Sequence, residues 1–142
     1  MRLALDTDVL VAGTRSDLGA SKQLLLAALD GCYTLLVSVP LVLQYESVLT
    51  RPEHLTIAPL TVDEVGVLLD ALVGVGNPVR LSFRWRPCLS DPDDDMVLET
   101  AVNGAADLLV TFSRRHFTRA ERQFHLRVVS PREALVLTGA TT

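Results

Sequence analysis

Four carboxylates crowd into the five residues Asp91-Pro92-Asp93-Asp94-Asp95, the densest acid in the chain. Charges held this close repel, and something must offset the repulsion. Helix capping is one answer: Asp91 before Pro92 reads as an N-cap with proline at the first helical position, and acids in a first turn complement the helix dipole. That alone accounts for all four. Helical geometry gives a second answer, because residues three and four apart share a face. Asp91, Asp94 and Asp95 then point with Leu98, and the same face continues through Ala101, Val102 and Ala105. A carboxylate carried into a core-facing stripe is costly unless it is paired, protonated or bound to a metal, so this helix start is a candidate site.

A basic stretch opposes it. Arg114, Arg115, Arg119, Arg122 and Arg127, with His116 and His125, are interrupted mainly by Glu121. The formal charge of -4 argues against coating of nucleic acid by bulk attraction, yet it conceals this uneven distribution. A divalent cation beside the acids and a phosphate backbone along the arginines suit the polarity. A solvated arginine-rich helix or loop fits the same residues. His54, His116 and His125 read as surface or loop positions.

With 142 residues, 49% of them hydrophobic and 21% charged, the chain suits one globular domain over residues 1–142 with a substantial core. Apolar runs such as Leu24 to Leu29 stop well short of the ~18 residues of a membrane span, and no charged-then-apolar leader is present, so a cytoplasmic protein is expected. Cys32 and Cys88, the only cysteines, are too isolated for a thiolate metal site and read as reduced and structural. There is no phosphate-binding glycine fingerprint, no nucleophile elbow and no histidine pair at zinc spacing.

The elements that must position the acids alternate in type. Arg2 to Leu5 reads as a buried strand running into Asp6-Thr7-Asp8, with Val9 to Ala12 carrying the chain to a break at Gly13. Asp6 caps no helix in this reading. A helix from about Ser21 to Leu29 and a strand over Thr34 to Val37 complete a right-handed beta-alpha-beta unit. Ser38 and Pro40 open a helix that Arg51-Pro52 stops, a loop follows, and Thr61 caps a helix to about Val73. Val79 to Phe83 reads as a short strand, the acidic helix comes next, and strands at Leu108 to Thr111 and Arg127 to Val129 precede a last helix opened by the capping-box spacing Ser130-Pro131-Arg132-Glu133. This alternation predicts a three-layer α/β/α sandwich around a mostly parallel sheet. Its site should lie outside the carboxyl ends of the strands, where Asp6 and Ser113 fall.

Leu5-Asp6-Thr7-Asp8-Val9-Leu10, Tyr45 with Val48-Leu49 and Arg51-Pro52, Asp91-Pro92-Asp93-Asp94, Ala105-Ala106-Asp107-Leu108-Leu109-Val110-Thr111 and Val129-Ser130-Pro131-Arg132-Glu133 together resemble a PIN domain. The resemblance is greatest to the branch that holds toxins of toxin–antitoxin pairs. It implies an endoribonuclease that uses Mg2+ or Mn2+ held by carboxylates, with Asp6 and Asp94 as the matching acids and Asp91 and Asp95 as further ligands. Hard oxygen donors suit those ions. Two positions depart from the family pattern. Gln44 stands where many relatives carry glutamate, leaving Glu46 two residues on as the alternative ligand, and Ser113 stands where many carry aspartate. Gln44, Thr111 and Ser113 are therefore expected as supporting neutral oxygens. Arg114 and Arg115 are expected to contact RNA. A small antitoxin protein and a homodimer through residues 41–73 are the partners the resemblance implies.

Overall fold

The computed structural model describes residues 1–16, 18–82 and 92–140, without the side chains of Pro92 and Asp93. Among the described residues, five strands form one parallel sheet: β1 (Arg2–Leu5), β2 (Thr34–Val37), β3 (Asn77–Pro78), β4 (Leu108–Val110) and β5 (Val128–Val129), in the order β3-β2-β1-β4-β5. The chain builds outward from β1 to β2 and β3, then crosses back to lay β4 on the other side of β1. In register, Leu5 lies opposite Val110. The carboxyl ends of β1 and β4 therefore open together at the switch in strand order, where parallel sheets bind ligands. Leu3, Ala4, Leu5, Leu108, Leu109 and Val110 are buried, as expected of strands covered on both faces of an α/β sandwich.

Eight helices occur among the described residues: α1 (Thr7–Arg15), α2 (Ala20–Leu29), α3 (Val39–Leu49), α4 (Pro52–Ile57), α5 (Val62–Val75), α6 (Pro92–Asn103), α7 (Thr118–Phe124) and α8 (Pro131–Thr138). Helix α6 packs against β1, β2 and β4, α5 against β2, and α8 against β4. Thr61 with Glu64, and Ser130 with Glu133, both form closed capping boxes.

The structure corrects the sequence reading at several points. The segment after β1 is a helix, not a connector to a break, and Asp6 is its N-cap. Gly13 stays inside α1 because α2 crosses there: a Cβ at Gly13 would stand 2.6 Å from Leu25 Cδ1. Pro52 does end α3, but it also begins α4, since proline at a first helical position loses no helical hydrogen bond. The third strand is only Asn77–Pro78, with Val79 N–H still reaching the Val37 carbonyl at 2.7 Å. Phe83, Cys88 and Asp91 lie outside the described residues, and Cys32 is exposed, not packed in the core.

His54 is corrected as well, being 2% exposed. Its Nδ1 accepts from Arg15 Nε at 3.2 Å and its Nε2 meets Thr14 Oγ1 at 3.0 Å, while that hydroxyl donates to main-chain carbonyls of α1. Only a neutral ring protonated at Nε2 satisfies this chain. Burial, then the nearby Arg15 charge, lower the His54 pKa accordingly.

Candidate active site

Asp6 leaves the end of β1 with its main-chain N–H held by the Val110 carbonyl at 2.9 Å, so the backbone pairing of β1 with β4 fixes where the side chain emerges. Its two oxygens accept separately: Oδ1 from Thr7 N–H at 2.8 Å, Oδ2 from the Thr111 hydroxyl at 2.7 Å. Asp8, in the first turn of α1, turns back to the same place. Its Oδ2 accepts from Phe112 N–H at 3.2 Å and lies 3.3 Å from both the Ser113 and Thr111 hydroxyls. Thr111 has one proton, and the shorter contact assigns it to Asp6; its oxygen in turn accepts from Ser113 N–H at 3.0 Å. The loop after β4 is thus a set of donors that clamps both acids after β1.

Helix α6 delivers Asp94 to the opposite wall, 7% exposed, with His116 Nδ1 at 3.3 Å from its Oδ2. Helix α3 closes a third side. Ser38 caps it, and because Thr100 Oγ1 donates to the Met96 carbonyl, the 2.7 Å contact between the two hydroxyls is a Ser38 donation to Thr100. That bond ties α3 to α6. Tyr45, fully buried, donates to the Leu5 carbonyl and ties α3 to β1. So anchored, α3 presents Gln44, whose Oε1 accepts from Thr7 Oγ1 at 3.0 Å. Asp6, Thr7, Asp8, Gln44, Val48, Arg51, Asp94, Ser113 and His116 enclose a cleft of about 190 Å³.

The acids pay for this arrangement. Burial first, then the charges of Asp8 and Asp94, push Asp6 up to about 7 against the lowering effect of its hydrogen bonds to Thr111 and Thr7. Burial likewise raises Asp8, opposed by the hydrogen bonds from Phe112 N–H and the Ser113 hydroxyl. Asp8 Oδ1 is buried without a hydrogen-bond partner among the described residues. An unsatisfied carboxylate oxygen beside a second crowded carboxylate is the donor set that a hard divalent cation completes. Among the described residues, no group of three His, Cys, Asp or Glu side chains is placed to hold a metal ion. Mg2+ does not need one, since it commonly rests on one or two carboxylates and fills its shell with water and substrate phosphate.

A family model described as PIN domain matches residues 2–115. The chain belongs to the PIN domain family. A search of the curated proteins returned no match. The PIN domain is a nuclease-type fold whose members generally act as nucleases and typically use divalent metals. Among the residues that the sequence singles out, this PIN domain brings Asp6, Asp94, Gln44 and Ser113 to one cleft, with Thr111 bonded beneath them. Glu46 is not brought there. It lies exposed on α3, about 200° around the helix from Gln44, so the alternative ligand is turned away. Asp95 is buried on α6 but does not line the cleft. Arg114 and Arg115 begin the exposed 3-10 turn beside it, and Arg114 Nε contacts Glu121 at 3.4 Å. Asp8, Arg51 and His116 are site residues that sequence reasoning passed over. For Asp8 a signal existed: once Thr7 starts a helix, a carboxylate three residues past the strand end sits in the first turn beside the cap.

Proposed function

We propose that this PIN domain is an Mg2+- or Mn2+-dependent endoribonuclease that hydrolyses RNA phosphodiester bonds, acting as the toxin of a toxin–antitoxin pair. The observation that carries the reading is the convergence of Asp6, Asp8 and Asp94 on one cleft at the strand switch, with Asp8 Oδ1 buried and without a partner among the described residues. Asp6 and Asp8 would hold the cation, with Asp94 facing them across the cleft. Bound there, a divalent cation supplies positive charge that stabilises the anionic transition state of phosphodiester hydrolysis. Thr111, Ser113 and Phe112 N–H hold the two carboxylates in place before substrate arrives, and Gln44 fixes Thr7. Arg51 at the cleft wall and Arg114 and Arg115 beside it would take flanking phosphates. A small antitoxin that covers the acidic cleft, with an arginine inserted among the acids, is the restraint expected for such an enzyme in a cytoplasm. A homodimer through residues 41–73 is part of the same proposal; Val62 and Val67 are exposed there.

Cleavage of single-stranded RNA with and without Mg2+ or Mn2+, comparing the parent with Asp6→Asn and Asp94→Asn, tests it. Metal-dependent cleavage by the parent and its loss in both folded variants is expected; unchanged cleavage in both would sink the assignment. A second reading is favoured by Gln44 and Ser113. These uncharged residues occupy cleft positions where a glutamate and an aspartate would raise metal affinity, so a weakened module that binds RNA or protein without turnover is the alternative. It predicts RNA binding by the parent with no cleavage at any metal concentration.

A further inference from the structure

Helix α3 borders two adjoining hollows. Gln44 and Val48, four residues apart on one face of α3, and Arg51, the N-cap of α4 just past its end, line both the acidic cleft and a second hollow of about 410 Å³. Pro40, Leu43 and Ser47 from α3 and Met96 from α6 complete the second hollow. Its character differs from the cleft. Pro40, Leu43, Val48 and Met96 give it an apolar lining, Gln44 and Ser47 add uncharged polar groups, and among the described residues Arg51 is the one charged residue lining it. The size falls in the range of small-molecule pockets, roughly 300–1,000 Å³, and the composition is theirs too: mostly apolar, with a few polar groups at the edge.

Because the two hollows share a wall, one ligand that is anionic at one end and flat and apolar at the other can fill both. Arg51 stands at the seam. A phosphodiester there meets its guanidinium while the adjoining acidic cleft takes the scissile group, and the chain's next apolar surface falls into the hollow. We propose that this hollow receives the unstacked base of the nucleotide flanking the scissile phosphate. In a duplex the base edge and face are paired and stacked, and no base is free to enter. The inference rests on the ribonuclease reading for its phosphate. The hollow itself can be tested without turnover.

The four nucleoside 5′-monophosphates and ribose 5-phosphate, which has the same phosphate and sugar but no base, are titrated by calorimetry into the full chain in Mn2+ buffer. The parent and Leu43→Glu are compared; Leu43 is 59% exposed and its change leaves the acidic cleft alone. At least one nucleotide should bind the parent about tenfold more tightly than ribose 5-phosphate, the return from moderate apolar burial of a base. Leu43→Glu should erase that preference and leave ribose 5-phosphate unchanged. Equal binding of all five probes to the parent overturns the proposal, as does a preference that survives Leu43→Glu. Self-association of the parent that Leu43→Glu abolishes, with no nucleotide preference, overturns it in favour of a contact between copies. RNA cleavage in the same buffer keeps the two readings apart. Cleavage without nucleotide preference retires the base site and leaves the nuclease; a preference erased by Leu43→Glu without cleavage keeps the base site and retires the nuclease.

Discussion

The chain carries acid in two places, and the two are built differently. In Asp6-Thr7-Asp8 both carboxylates sit at the end of a central strand, and donors from the loop after the neighbouring strand clamp them: Thr111 on Asp6, Phe112 N–H and Ser113 on Asp8. In the Asp91 to Asp95 segment the acid is denser, yet among the described residues only Asp94 lines the cleft. Density of charge along a sequence is a weaker guide to a site than position on the sheet. A carboxylate at the strand switch is held by long-range partners, whereas acids in a helical first turn can be satisfied locally by the helix dipole.

The largest effect that can break this comparison is on cleavage. Asp8→Asn, like Asp6→Asn, should lower metal-dependent RNA cleavage by about 100-fold or more, at least the loss that follows from disturbing a metal site's outer shell. Circular dichroism should show both variants folded, since asparagine can still cap α1. Activity retained in Asp8→Asn would return the weight to the α6 acids.

Next in size is the effect of restoring charge. Ser113 donates to Asp8 at 3.3 Å, so Ser113→Asp puts a like charge against it. Without metal this should lower Tm; with Mn2+ it should tighten binding by about tenfold, as a third carboxylate adds to a hard-cation site. Gln44→Glu should act in the same direction. Calorimetry and thermal melts read both, and a variant that loses metal affinity would place its position outside the coordination shell.

The pH dependence of stability is smaller and has a definite sign. Asp6 titrates from an ordinary value of 3.8 in the unfolded chain to about 7 in the fold, so between these values the folded state holds the extra proton. The stability this contributes is complete below the unfolded value and lost as pH rises through the folded one. Between about pH 5 and pH 8 the metal-free parent should lose on the order of 5 °C in Tm relative to Asp6→Asn, and Mn2+ should reverse the loss. His54 works in the opposite sense: its lowered pKa gives stability that is present above its unfolded value and lost as pH falls. Comparison with Asp6→Asn removes that contribution. Parallel melting curves would show that Asp6 is not the strained group.

Smallest of all should be Glu46→Gln. Facing solvent on the far side of α3, it should leave cleavage within about twofold of the parent, the range of surface changes away from any site. A large loss would mean that α3 turns in solution.

What the sequence reveals of all this follows from the range of the forces involved. Thr34–Val37, the Ser38 and Thr61 caps and the Ser130 capping box are local patterns, and each appears in the structure where the pattern puts it. Asp6 and Asp94 are legible from motif and helical face. The α1 helix is not, because Thr7, Val9 and Val11 are β-branched and Gly13 resembles a stop; the close crossing of α2 over Gly13 overrides that local preference. His54 hides for a similar reason, its burial depending on Thr14 and Arg15 some forty residues away in sequence. His116 is decided by its contact with Asp94, which no spacing within one segment encodes, and Asp8, held by Phe112 and Ser113, is legible only once α1 is recognised as a helix.

On the proposed reading, the clamped acids after β1, more than the dense acids at the start of α6, hold the metal. Mn2+ titration followed by electron paramagnetic resonance, on the parent and Asp8→Asn side by side, tests it most directly. Saturable Mn2+ binding in the parent that disappears in a folded Asp8→Asn variant is the expected result; equal Mn2+ binding by the two proteins would contradict it.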